Sequence, residues 1–475
     1  MAAITPAYDR SLTEKEKHDE LQRKGSGVLG GTSSEEGDVR PTNYDFEQQK
    51  LAEGEAAFHS LGWKRLTIVL IVTAVALGSL SLPHAFASLG MVGGVITSVG
   101  VGLLAMYCSY VVGQMKIKYP EIAHYTDAGY MMFGKWGGAV ITFMFVMQLV
   151  FTTGSHVLTG AIMFNNLTDD GACTIVFAVV SGILLFLLAI PPTFSEMAIL
   201  GYIDFVSILG AILITIIATA VTNGKEPGGL AAVNWSAWPK EDLSLSEAVI
   251  AITNIMFAYS YALCQFSFMD EMHTPKDFDK AIWTLGSFEI VLYTLTGALI
   301  YAFVGQDVRA PALLSAGPTM AKVAFGVALP VIFISGSINT VVLARYLHQR
   351  VYKDSVIRYV NTKMGWITWI AFDAGITLFA WVIAEAIPFF SPLLALCGAL
   401  FITAFTFYLP GIMWFMFIKE GRWTPWNMLL AAINIFAIGV GVGVLGLGTY
   451  AAVEDIKLRY DNGSVGTPFS CAPIG

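Results

Sequence analysis

The chain has 475 residues, 55% of them hydrophobic and 13% charged, with a mean hydropathy of +0.65. A soluble globular domain carries roughly a quarter charged residues, so this composition excludes one and points to an all-α polytopic membrane protein. The formal net charge of -8 says nothing about fold or nucleic acid, no nucleic-acid partner is expected, and five cysteines, too few and too scattered, make no disulfide or metal scaffold.

Residues 1–60 are polar, acidic on balance and interrupted by Gly/Ser-rich pieces, which predicts a disordered tail. No signal-peptide pattern precedes the first apolar run. Thr13, Ser33 and Ser34 lie beside acidic residues and are candidate phosphorylation positions. Trp63, Lys64 and Arg65 form an aromatic and basic anchor at the membrane interface.

Eleven spanning segments follow, at about 66–88, 91–115, 138–163, 173–190, 199–221, 246–269, 283–304, 319–344, 366–386, 390–418 and 427–450. The tenth is long and contains Pro410-Gly411, so a tilt or kink is expected. Residues 120–138 and 276–283 have helical composition without spanning length and read as interfacial elements. The membrane-spanning domain thus covers 61–450, and 451–475 form a C-terminal tail. Alternate connections rich in Lys and Arg, such as those with Lys116, Lys118, Arg345 and Arg350, predict a cytoplasmic N-terminus and an external C-terminus. The sequons at Asn166 and Asn234 then fall outside. Cys173 and Cys471 also fall outside, where they either pair in a disulfide or stay apart.

The first span reads Leu77-Gly78-Ser79-Leu80-Ser81-Leu82-Pro83 at its middle. Glycine weakens a helix interior, proline removes a donor, and serine competes for the local backbone. The expectation is two half-helices, 66–77 and 82–89. The carbonyls ending the first suit an ammonium, and the N–H groups opening the second suit a carboxylate. Such a break reads an amino acid zwitterion; a Gly/Ser packing face is the alternative. In the sixth span Asn254, Ser260 and Gln265 would be costly against lipid, so a second break is expected there. Phe257, Ala258 and Tyr259 would then form a wall suited to apolar or aromatic side chains.

An interrupted helix opening each set of five spans is the mark of an inverted repeat, here about 66–221 and 246–418 with 427–450 as an extra helix. The cation candidates are Ser335, Ser337 and Asn339 of the eighth span with a first-span carbonyl such as that of Ala74, and the carboxyls of Glu289 and Asp373. Packing is the alternative for each. Asp204, His84, His156 and Glu385 lie within or near spans as well.

The runs Gly78-Ser-Leu-Ser-Leu-Pro83-His-Ala-Phe, Phe257-Ala-Tyr259, Tyr125-Thr-Asp-Ala-Gly-Tyr130 and Met269-Asp-Glu271-Met272-His-Thr-Pro275 together resemble the amino acid/auxin permease family, over about residues 58–450. The resemblance is strongest to fungal neutral amino acid permeases of the N-system type. It implies a five-plus-five, LeuT-like fold with an eleventh helix. It also implies a monomer in the lipid bilayer with no cofactor, which is not an enzyme and moves neutral amino acids by cation symport. Protons are the expected ion and Na+ the alternative. The plasma membrane is the expected location, and a vacuolar or other endomembrane the alternative. Gly78, Ser79 and Leu80 match the segment that holds the substrate backbone, with Leu77 beside it, and Phe257, Ala258 and Tyr259 match its counterpart. An amino acid sensor that binds without efficient flux is the alternative function.

Overall fold

The computed structural model describes residues 61–192, 194–353, 355, 357, 360–462 and 469–471. The N-terminal tail, with Thr13, Ser33 and Ser34, lies outside them. Among the described residues nine helices are long and apolar enough to cross a membrane, and one more apolar helix is shorter.

Helix α1 runs Trp63–Lys118, 56 residues. Straight, it would reach about 84 Å, nearly three bilayer cores. Gly90 (φ 73°, ψ 167°) turns it instead, in a left-handed conformation that glycine adopts without penalty. A Cβ there would lie 2.4 Å from Trp238 backbone atoms. The second arm begins with Met91 and Val92 donating their N–H groups to Ser236 and Ala237 carbonyls at 2.9 and 3.0 Å, which satisfies two otherwise orphaned donors. Both ends of α1 return to one place. Leu61 N donates to Glu271 O at 3.0 Å, and Lys116 Nζ lies 2.7 Å from Asp270. The helix is therefore a hairpin that supplies the first two expected spans.

The expected interruption at Gly78–Pro83 is absent, and the first arm stays helical throughout. Leu77, Ser79, Leu80, Ser81 and Leu82 are all buried, so water does not compete for their backbone groups. Ser81 Oγ donates back to the Gly78 carbonyl at 2.9 Å. Tertiary burial outweighs the weak local propensity.

Helix α2 (Tyr125–Thr168) bends at Gly134 (φ 66°), and its first turns fold back so that Gly129 faces Ile141. This is the interfacial element expected at 120–138. Helices α3 (Thr174–Leu188) and α4 (Phe194–Gly224) follow. The sixth span is α5 (Leu245–Ala258) and α6 (Gln265–Asp270), separated at Tyr259-Ser260 by residues outside regular helix and a 3₁₀ turn over Tyr261–Cys264. Here the expected interruption is present. Helix α5 opens on a capping box between Ser244 and Glu247.

Helices α7 (Phe278–Val304), α8 (Pro318–Val351), α9 (Lys363–Ala386), α10 (Phe390–Ile418) and α11 (Pro425–Asp461) complete the fold. A 3₁₀ turn over Pro275–Asp277 and the first turns of α7 form the piece expected at 276–283. Helix α10 passes through three π-helical stretches, at 398–402, 404–408 and 414–418, a wider winding that often marks functional positions. Helix α11 continues past the expected end at 450, carrying an Arg459–Asp455 ion pair of 2.9 Å and donating Tyr460 Oη to the Ala386 carbonyl. A disulfide joins Cys173, just before α3, to Cys471.

Helix α1 packs against α7, α5 and α4, while α8 packs against α4 and α2. Helix α9 lies on α2, α3 and α8, and α11 on α5 and α10.

Candidate functional site

The two stretches singled out in the first and sixth spans touch. A Cβ at Gly78 would stand 2.5 Å from Ala258 Cα and 2.8 Å from its Cβ. Only glycine on α1 lets the end of α5 come this close. Leu77 and Leu80 are 2% exposed and Ser79 is fully buried, as are Ala258 and Tyr259.

Helix α5 ends at Ala258 because Tyr259 (φ -97°, ψ 43°) leaves the helical basin. The freed Ala258 carbonyl accepts Tyr293 Oη of α7 at 3.1 Å. Tyr259 Oη donates to the Ser98 carbonyl of α1 at 3.0 Å, and its ring meets the Tyr293 ring edge-on at 5.1 Å. The break is thus braced from two sides by phenols.

Several buried polar atoms around the break lack partners. They are Asn254 Oδ1, Tyr261 Oη and both carboxylate oxygens of Glu289. Glu289 lies one turn from Tyr293 on α7. An unpaired buried polar group costs about 1–3 kcal/mol. Asn254 Nδ2 donates to Ser391 Oγ of α10 at 2.7 Å. Phe257 faces α10, where a Cβ on Gly398 would be 3.7 Å from the Phe257 Cβ.

Ser391 also lines a cavity of about 660 Å3 that opens at the end of the protein bearing Gly90 and Asp169. His84, Asp169, Arg309 and Arg459 share its wall. Both signs of charge are present. At the opposite end two charge pairs close the way, beside a smaller pocket of about 320 Å3 lined by Lys116, Asp270 and Met272. Lys116 uses all three ammonium donors, on the Pro120 and Ile122 carbonyls and on Asp270, at 2.8, 2.6 and 2.7 Å. Glu271 and Arg345, 1% and 4% exposed, form a buried ion pair. Leu61 and Met272 form a parallel bridge beside them.

His124 links the same end, with Nδ1 2.8 Å from Ser267 Oγ and Nε2 2.9 Å from Gln349 Oε1. Burial holds its imidazole below the ordinary value. The neutral ring then donates from Nε2 to the amide oxygen and accepts the serine hydroxyl at Nδ1.

The cation candidates divide. On α8, Ser335 Oγ is buried without a partner, Ser337 Oγ donates to the Ile334 carbonyl at 2.7 Å, and Asn339 Nδ2 donates to the Ser335 carbonyl at 3.1 Å. Ala74 is buried on α1. Asp373, whose carboxylate is also buried and unpartnered, stands on α9 among α2, α3 and α8. Asp204, expected near a helix end, is wholly buried. Among the described residues no group of three or more His, Cys, Asp or Glu is placed to hold a metal.

Sequence reasoning missed the braces Ser98 and Tyr293, the Asn254 partner Ser391, and the seal of Lys116, Asp270, Glu271 and Arg345. The pairing of two opposite charges at adjacent helix ends, Asp270-Glu271 against Lys116 and Arg345, was the one signal available.

A bundle of apolar helices around an interrupted helix, open at one end and sealed at the other, defines a membrane carrier. The chain belongs to the family of transmembrane amino acid transporter proteins, whose model matches residues 59–454. It is 60% identical over 462 residues to the N amino acid transport system protein of Neurospora crassa, covering 97% of this chain and 96% of that one. It is 29% identical over 454 residues to a transmembrane transporter of Gibberella moniliformis, covering 94% and 93%. The fold is similar to the crystal structure of MhsT in complex with L-phenylalanine. That likeness has a TM-score of 0.56 at 11% identity and covers 81% of this chain and 98% of that one. The chain is a transporter of amino acids across the bilayer and not an enzyme.

Proposed function

We propose that this protein carries neutral amino acids, apolar or aromatic ones included, by alternating access in symport with a monovalent cation. The contact of Gly78 with Ala258 at the end of α5 carries the reading. It puts a side-chain-free helix surface beside released backbone groups, Asn254 and two aromatic residues. The name of the Neurospora relative, N amino acid transport system protein, supports amino acids as the cargo. Leu77, Gly78, Ser79 and Leu80 would take the substrate backbone, and Phe257 and Tyr259 its side chain. In this arrangement the substrate enters from the 660 Å3 cavity, and exit requires the Lys116–Asp270 and Glu271–Arg345 pairs to part.

The hairpin of α1 and the short α3 bring the spans to eleven, which supports two inverted sets of five. With the sealed end cytoplasmic, as the Lys and Arg bias predicts, the open cavity faces outward and the Cys173–Cys471 link is external. The plasma membrane is the proposed location.

Two observations bear on the cation. The unpartnered Ser335 hydroxyl, with α1 carbonyls including that of Ala74, supports a sodium ion on α8. The lone buried carboxyl of Glu289 at the α5–α6 break supports a proton, with Asp373 a more distant candidate. Uptake of labelled amino acid into proteoliposomes, under an imposed sodium gradient or an imposed pH gradient, separates them. Accumulation under the sodium gradient alone removes the proton reading, and the reverse removes sodium. Binding with no accumulation under either gradient makes the protein a sensor.

Replacing Phe257 or Tyr259 with leucine is expected to change the preference between aromatic and aliphatic substrates by about tenfold, the effect of ~1.4 kcal/mol of lost aromatic contact. Competition uptake assays measure this. An unchanged preference at normal expression would reduce both residues to packing.

A further inference from the structure

His124 stands at the end closed by the two ion pairs, one residue before α2 begins, and is 6% exposed. Its backbone N–H and that of Ala123 donate to Asp127 Oδ2 at 2.9 and 3.2 Å, which fixes the turn carrying the ring. The ring then reaches two other helices. Nδ1 meets Ser267 Oγ of α6 at 2.8 Å, and Nε2 meets Gln349 Oε1 of α8 at 2.9 Å. Tyr346 of α8 covers the ring edge-on at 5.2 Å, and Phe145 of α2 lies at 6.5 Å. One side chain thus ties the start of α2 to the far half of the interrupted helix and to α8.

The charged groups that face the ring already have counterparts. On α6, Asp270 is held by Lys116 of α1, and Glu271 by Arg345 of α8. On α2, Asp127 takes the two backbone N–H groups just named. Arg350 of α8 donates to Tyr130 Oη at 3.2 Å and lies over that ring. A neutral imidazole fits this setting and an imidazolium does not, since the carboxylates near it are engaged. Burial is the main cause that keeps the ring neutral, against the opposing pull of Gln349, Asp127 and Asp270. Solvent is nevertheless close. Asp270 is 27% exposed and lines, with Lys116, the pocket of about 320 Å3 at this end.

We propose that His124 is the positioning residue that latches this end shut, and that a proton taken up from solvent on this side releases the latch. The inference rests on the alternating access proposed above, in which this end must open. In the neutral ring Nδ1 accepts the Ser267 O–H, and Nε2–H donates to Gln349. A proton added at Nδ1 reverses the first bond, so Ser267 must accept there and send its own O–H elsewhere. The added charge is buried while the end is closed and hydrated once α6 and α8 part. By linkage, the open form binds that proton more tightly, so its population grows as pH falls through the histidine range. With an ordinary value of about 6.5 in water, going from about pH 7.5 to about pH 5.5 raises the open population about threefold to tenfold.

The readout is alkylation of Cys264, buried in the turn between α5 and α6, in the full chain in lipid nanodiscs. Its rate at each pH is divided by the rate in the detergent-unfolded chain at that pH, which removes the thiol's own ionisation. The corrected rate is expected to rise about threefold to tenfold from about pH 7.5 to about pH 5.5, while Cys108 and Cys397 stay protected. His124→Gln keeps a hydrogen-bonding side chain that cannot titrate, and should hold the slow rate at both pH values. His124→Lys, charged throughout, should be fast at both. A role confined to packing would make His124→Gln faster at every pH and leave the slope unchanged. A flat wild-type profile overturns the proposal, and so does a rise that persists in His124→Gln. Should His124→Gln not fold, Ser267→Ala decides. It removes the hydroxyl proton that favours the neutral ring, so the rise should flatten, and a full rise overturns the latch. Glu271→Gln reports opening by itself. If it speeds Cys264 while acid does not, opening at this end stands and the histidine latch falls. If neither acts, both fall.

Discussion

Gly78→Val is expected to lower amino acid uptake by about a hundredfold, equivalent to ~2.7 kcal/mol, which is within the cost of forcing extra atoms into a packed interior. The reason is local. The first added carbon already stands 2.5 Å from a backbone atom of α5, and backbone cannot swing aside as a flexible side chain does. The α1 arm must then separate from Ala258, the point where the interrupted helix changes direction. Membrane insertion depends on the apolar spans and should persist, so surface expression and elution profile are measured beside uptake. Gly78→Ala should show a smaller loss, partly recovered by Ala258→Gly, because one of the two close contacts is the Ala258 Cβ. Normal uptake by Gly78→Val would remove the site from this crossing.

The second large effect is expected at the sealed end. Glu271→Gln removes the Glu271 charge from its buried pair with Arg345, and breaking a buried ion pair costs about 3–5 kcal/mol. The sealed arrangement bears this cost, and an arrangement in which water reaches Arg345 does not. The population should therefore move toward opening at that end. Cys264 is a native reporter, buried in the turn between α5 and α6. Its alkylation by a small maleimide should rise at least about tenfold in Glu271→Gln, since every 1.4 kcal/mol of shift is a factor of ten. The charge-swapped double variant, Glu271→Arg with Arg345→Glu, should recover part of the protection. Cys108 and Cys397, free and buried elsewhere, report general unfolding. If all three react together, loss of fold and not opening is the cause.

Legibility in the sequence differed between the two helices that meet at the site. In the sixth span, polar Asn254 and Ser260 are set among apolar neighbours, and the chain leaves the helix at Tyr259-Ser260, past Asn254. The first span has the more suggestive composition, with glycine, two serines and proline, yet it stays helical. Its neighbours bury every residue from Leu77 to Leu82, and Ser81 reinforces the turn it was expected to break. Intramembrane carboxyls were legible as exceptions to an apolar pattern, but their surroundings were not. Glu289 lies with the braced break, whereas Asp373 belongs to a different helix layer.

Hydrophobic length and charge bias are properties of the chain alone. By themselves they determined that this is a polytopic membrane protein and where nearly every helix lies, while the tie to amino acid carriers lay in the resemblance of its motifs. Only the tertiary structure decided that Gly78 meets Ala258, that Tyr293 and Ser98 brace the break, and that four charges close one end while the other stays open. Each of these depends on side chains far apart in sequence. Whether a weak helix holds, or a buried charge is tolerated, is set by the partner that packing delivers and not by the residues on either side.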